Sequence, residues 1–106
     1  MPYREKHTWG EYLWGLIHTI TIIDFEESGC HNQRILACLK GMSAAIPCSM
    51  CRTHYENEIN KFNFQNLNEP MCLFRWSVDF HNTVNAKLGK PMVTYEEALE
   101  KWTRVI

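Results

Sequence analysis

The sequence predicts an all-α domain, a four-helix bundle with a short fifth helix. Apolar residues recur every three or four positions through four long stretches, the period of helices with one buried face. Capping signals and glycine–proline stops divide those stretches at lengths usual for helices. Apolar–polar alternation and Asn-Gly hairpin turns, the marks of β-structure, are missing from the sequence. The chain has 106 residues, a length that suits one domain over residues 1–106 with a single core.

Thr8 and Glu11 have the T-x-x-E spacing of a capping box, in which each side chain satisfies the other's backbone N–H. The first helix is predicted over Trp9–Ile23, with Trp9, Leu13, Leu16, Ile17 and Ile20 facing the core. Gly10, Trp14 and His18 form a separate stripe at i, i+4 and i+8. A glycine on a helix face costs about 1 kcal/mol relative to alanine, which makes sense if something must approach the backbone there. Asp24–Gly29 reads as a loop. A second helix follows over Asn32–Ala45, with Ile35, Leu36, Leu39, Met42 and Ile46 on its buried side.

Pro47 separates that helix from a third, Cys48–Asn60, and an Asn-rich loop covers Phe62–Asn68. The fourth helix is predicted over Glu69–Leu88. Asn68 is its N-cap, Pro70 is tolerated in the first turn, Gly89 sits at C′ and Pro91 blocks continuation. Thr94 and Glu97 form a second capping box, for a fifth helix ending near Arg104.

Composition narrows the function. The net charge is −1 with the signs mixed along the chain, which argues against a nucleic-acid footprint. The first eight residues, MPYREKHT, are polar and lead into no signal-like apolar run, and no stretch reaches transmembrane length. A soluble, cytoplasmic protein is expected. Four Trp, five Phe and four Tyr are enough rings to fill a core or to wall a pocket for a flat cofactor. The five cysteines are Cys30, Cys38, Cys48, Cys51 and Cys72. An odd number without a secretory signal does not read as a disulfide scaffold.

The chemistry centres on Pro47-Cys48-Ser49-Met50-Cys51. Two thiols one helical turn apart, at a helix N-terminus, sit where the positive end of the helix favours thiolate over thiol. The pair reads as a reversible dithiol. Cys48-x-x-Cys51-x-x-His54 also describes part of a zinc site, whose fourth ligand would come from Cys38, Cys72 or His81. A second cluster lies on the fourth helix. His81 and Asn85 share one side, Asn82 and Asn85 are i, i+3 neighbours, and Lys87 and Lys90 follow within a turn. Asparagine is a weak helix former, so this cluster reads either as a solvated face or as hydrogen-bonding groups for an adenine edge, with lysines for a pyrophosphate.

Together these residues resemble the Erv/ALR family of FAD-linked sulfhydryl oxidases, in the minimal form of large DNA viruses. Three motifs carry the resemblance: Trp9-Gly10-x-x-x-Trp14-x-x-x-His18, Pro47-Cys48-x-x-Cys51, and Trp76-x-x-x-x-His81-Asn82-x-Val84-Asn85-x-Lys87-Leu88-Gly89-Lys90-Pro91. The resemblance implies a helical bundle holding FAD, with Cys48 as the outer thiol that exchanges with substrate and Cys51 as the inner one beside the flavin. It implies that Gly10, Trp14 and His18 line the flavin and that His54 and Tyr55 complete the wall. His81, Asn82, Asn85 and Trp102 would hold the adenosine part, and Lys87 and Lys90 would lie near the phosphates. It implies thiol oxidation with oxygen as acceptor and hydrogen peroxide as product, and a homodimer. The partners implied are a protein dithiol or a small thioredoxin-like redox protein, acting in a host cytoplasm or virion. No metal is expected. The chain departs from the family pattern at Glu11, where a basic residue is common, at Ile46, where an aromatic is common, and at Val78, where a cysteine is common. It also lacks a second C-x-x-C or C-x-C in a tail to serve as a shuttle.

Overall fold

The computed structural model describes residues 6–28, 33–62, 69 and 71–106. They form five α-helices: α1 (Lys6–Ser28), α2 (Gln33–Gly41), α3 (Ser49–Asn60), α4 (Cys72–Leu88) and α5 (Tyr95–Val105). No strand occurs among the described residues. The all-α fold is the one expected, with differences at helix ends.

α1 is longer than predicted at both ends. Thr8 lies inside it and is not its cap. The segment Asp24–Ser28, expected as a loop, continues the helix, because it holds no glycine or proline to stop it. α2 ends at Gly41, and Met42–Ala45 tighten into a 3-10 turn where the prediction continued the α-helix. Glycine and serine are weak helix formers, and 3-10 turns are common at helix ends. Cys48 caps α3 and is not its first residue. Its backbone is extended, and its sulfur accepts the Cys51 N–H at 3.3 Å. α4 starts at Cys72 and not at Glu69, because Met71 adopts a left-handed conformation (φ 59°) that interrupts the helix. The expected cap Asn68 and Pro70 lie outside the described residues, as does Cys30.

Two ends form as the local chemistry requires. Gly89 takes the left-handed conformation (φ 72°) that closes α4, and the Lys90 N–H reaches the Asn85 carbonyl at 2.8 Å. Thr94 and Glu97 make the reciprocal capping box of α5, at 2.9 and 3.1 Å.

α1 packs against α4, α5 and α2, while α2 and α3 pair across the 3-10 turn. One core cluster joins α1 to α4 through Ile17, Leu36, Leu39, Tyr55, Ile59 and Leu73. A second, of Ile22, Phe74, Val78 and Ala98, fastens α5 onto α1 and α4. Each of the fully buried aliphatic side chains is worth about 1.5–3 kcal/mol of burial.

The buried face of α1 is not quite the predicted one. Leu16, expected in the core, is 51% exposed and shares an outer stripe with Tyr12 and Ile23. α1 is apolar nearly all round, so periodicity alone does not separate its inner and outer faces. Gly10, Ile17, His18, Thr21 and Ile22 turn inward.

Candidate functional site

A cleft of about 760 Å³ opens between α1, α3, α4 and α5. This lies within the range of pockets that hold small molecules and cofactors, about 300–1,000 Å³. Aromatic rings form much of its wall. The Trp14 indole stacks on the His81 imidazole, with centroids 4.0 Å apart and planes 6° from parallel. His18 lies 5.8 Å from Trp14 and 5.5 Å from Trp102. The i, i+4 spacing of Trp14 and His18 puts both on the face of α1 that meets α4 and α5.

Two glycines of α1 act differently. A Cβ on Gly15 would lie 3.3 Å from the Trp102 ring, so Gly15 is where α5 and its indole approach α1. A Cβ on Gly10 would meet nothing within 4 Å, although Gly10 lines the cleft. Among the described residues no atom makes the approach expected at Gly10; the glycine borders open space in the cleft.

The two histidines are held neutral. His18 is 1% exposed, and burial, followed by His81 and Lys101, lowers its pKa to about 3. His81 is half-buried, and burial, followed by Lys101 and Lys90, lowers it to about 4. Their side chains are joined, His18 Nε2 to His81 Nδ1, at 3.0 Å. His18 Nδ1 contacts the buried Ser77 hydroxyl at 2.8 Å.

The thiols divide between two environments. Cys51, one turn into α3, lines the cleft; Cys48, the N-cap, does not. The Cys51 N–H and the positive end of α3 both favour negative charge on the Cys48 sulfur. Arg52 braces this turn by donating through Nε and Nη2 to the Ile46 carbonyl, at 3.2 and 2.9 Å. His54 and Tyr55 line the cleft beside Cys51. The Tyr55 hydroxyl donates to the Leu39 carbonyl, and burial, with Cys38 nearby, pushes its pKa up.

The other end of α4 brings Asn85, Lys87 and Lys90 to the same cleft. Lys101 of α5 joins them and lies over the Trp102 ring at 4.7 Å. Asn82, expected among the cofactor ligands, is not one of the residues that line the cleft. Its amide is engaged at both atoms with the backbone of Val93, donating to the carbonyl at 2.8 Å and accepting the N–H at 2.9 Å. It ties the start of α5 to α4.

The zinc alternative is not assembled. His54 Nε2 lies 3.6 Å from a Glu58 carboxylate oxygen. Among the described residues, no three His, Cys, Asp or Glu side chains are gathered as metal ligands.

The model of the Erv1/Alr family matches residues 11–103. The chain belongs to the Erv1/Alr family. A frog virus 3 protein whose name describes an FAD-linked sulfhydryl oxidase is 43% identical over 61 residues, 58% of this Erv1/Alr chain and 41% of the relative. An Acanthamoeba polyphaga mimivirus protein with the same description in its name is 30% identical over 95 residues, 87% of the chain and 66% of the relative. The FAD-linked sulfhydryl oxidase of African swine fever virus is 28% identical over 90 residues, 84% of the chain and 75% of the relative. The chain thus spans less than two thirds of the first two relatives. No solved structure matches it.

Sequence reasoning missed Gly15, Arg52, Ser77 and Lys101. Gly15 and Lys101 acquire their roles only when α5 docks, and Ser77 when α1 meets α4. Arg52 had a local signal, since it lies within reach of the carbonyl before Pro47.

Proposed function

We propose that this chain oxidises protein thiols to disulfides with FAD as its cofactor. The observation that carries the reading is that Cys51 lies in the wall of an aromatic cleft whose other residues suit a flat dinucleotide. The fit rests on three features: the rings of Trp14, His81 and Trp102, the open face of Gly10, and the cationic group Lys87, Lys90 and Lys101. Rings suit a flat heterocycle, and lysines suit the pyrophosphate. The other residues proposed against the cofactor are His18, His54, Tyr55 and Asn85. When bound, FAD takes the electron pair of the dithiol and passes it to oxygen, giving hydrogen peroxide.

The protein's part is thiol exchange and positioning. A substrate thiolate attacks the Cys48 sulfur of the oxidised pair; an S–S bond forms to substrate, and Cys51 leaves as thiolate within the cleft. A second substrate thiolate attacks the substrate sulfur of the mixed disulfide and releases Cys48. The substrate departs with its new disulfide, and both cysteines are reduced. Cys48, outside the cleft lining, is the thiol placed to meet a protein dithiol or a small thioredoxin-like partner. The neutral His18 and His81 add no positive charge, so the lysines supply what the anionic phosphates require.

We also infer a homodimer through the outer stripe of α1. Tyr12 is 78% and Leu16 51% exposed, with Ile23 on the same side, an apolar surface of the kind that marks an interface. Among the described residues no helix is long and apolar enough to cross a membrane. The viral relatives favour action in a host cytoplasm or virion.

The test is the absorption spectrum of the purified protein together with oxygen uptake on adding dithiothreitol. A flavin spectrum, with thiol-dependent oxygen uptake and peroxide release, is expected. Colourless protein that binds no added FAD would refute the reading. Sedimentation of Leu16→Glu against the unaltered chain tests the dimer, which the substitution should dissociate.

A further inference from the structure

Ser77 is fully buried and lies behind the cleft wall, outside the lining residues. Its hydroxyl oxygen is 2.6 Å from the Phe74 carbonyl oxygen. A carbonyl brings no proton, so the single proton of Ser77 is committed to that bond. The same oxygen is 2.8 Å from His18 Nδ1 and has only lone pairs left to offer. His18 Nδ1 must therefore carry a proton and donate it.

Burial keeps His18 neutral, so its Nε2 bears a lone pair. That atom is 3.0 Å from His81 Nδ1, which must in turn be the donor. His81 is neutral as well, which leaves its Nε2 with a lone pair. His81 lines the cleft, and the Nδ1–His18 bond is its only side-chain hydrogen bond among the described residues. Reversing the order of donors would leave two oxygens 2.6 Å apart with no proton between them.

We propose that Ser77 is a positioning residue which, acting through His18, fixes His81 as a hydrogen-bond acceptor toward the cleft. A ligand lying against His81 Nε2 must then present an N–H or O–H group. Resting on the FAD reading, that group is an amino or hydroxyl group of the cofactor. Trp14, stacked on the face of His81, fixes the plane of the ring in which this lone pair lies.

The test is ¹⁵N NMR of the histidine side chains, first in cofactor-free protein and then with FAD added. Both His18 and His81 should be neutral and protonated at Nδ1, and FAD should perturb His81 Nε2. A proton on His81 Nε2 in the unaltered protein overturns the proposal. Ser77→Ala removes the acceptor at His18 Nδ1, so both rings should shift toward protonation at Nε2. FAD affinity should then fall about fivefold, the worth of one ordinary hydrogen bond. Ser77→Thr, which keeps the hydroxyl, should restore the tautomers of the unaltered protein. Unchanged tautomers in Ser77→Ala overturn the role of Ser77. Should Ser77→Ala not fold, the tautomers of the unaltered protein decide alone. A protein that keeps the predicted tautomers but binds no FAD refutes the FAD reading and leaves the relay standing.

Discussion

Acidification should destabilise the cofactor-free protein strongly between pH 7 and 5, because two imidazoles are held neutral inside it. The folded pKa values are about 3 for His18 and about 4 for His81, against 6.5 for an ordinary histidine. Between those limits the unfolded chain binds more protons than the folded one, so stability falls as pH falls. The loss begins near pH 6.5 and stops growing at about 4 for His81 and about 3 for His18. At pH 5 the buried His18 contributes a loss of about 2 kcal/mol, and the half-buried His81, partly screened by solvent, about 1 kcal/mol, so about 3 kcal/mol for the pair. That is a large part of the roughly 5–15 kcal/mol typical of a domain. For a chain of this size it lowers Tm by about 12–15 °C. Thermal unfolding followed by circular dichroism at pH 7 and pH 5 measures it. His81→Gln should remove about a third of the pH dependence. A Tm that does not move between pH 7 and 5, or an equal drop in His81→Gln, would refute the reasoning.

Other substitutions separate cleft from scaffold. Gly10→Ala should stabilise the cofactor-free protein by up to about 1 kcal/mol, since its Cβ meets nothing, while Gly10→Phe should fold and fail to bind FAD; thermal shift and flavin titration check both. Arg52→Met leaves the Ile46 carbonyl without its guanidinium, at a cost of about 1.5–3 kcal/mol, and should slow the reaction of Cys48 with a disulfide reagent. Asn82→Ala loses both bonds to Val93, so α5 should be cut sooner in limited proteolysis and FAD affinity should fall indirectly. Tyr55→Phe should lower stability by about 1–3 kcal/mol in denaturant melts, because the Leu39 carbonyl loses its donor.

The sequence was most legible where a few neighbouring residues decide the outcome. Thr94 with Glu97, and Gly89 before Pro91, set helix ends by local hydrogen bonding and backbone preference, and both ends form as read. It was least legible where packing decides. Nothing local forces Met71 into a left-handed turn. Leu16 and Ile17 are equally apolar neighbours, yet one is exposed and the other buried, because only the docking of α4 and α5 defines the inner face of α1. The same division runs through the candidate site. The turn between Cys48 and Cys51, and the stripe Trp14–His18, follow from spacing. The amide-rich run His81–Asn85 shows that hydrogen bonds are made there but not with whom. Asn85 faces the cleft, whereas Asn82 reaches eleven residues along the chain to Val93. Lys101 carries no signal of its own until Trp102 settles on Gly15.

On the proposed reading Cys51, and not Cys48, is the thiol that faces the bound flavin. The most direct measurement is the long-wavelength absorption of thiolate beside oxidised flavin in the single variants Cys48→Ser and Cys51→Ser. The band should be present in Cys48→Ser, where Cys51 remains, and absent from Cys51→Ser. A band that survives in Cys51→Ser and vanishes in Cys48→Ser would contradict it.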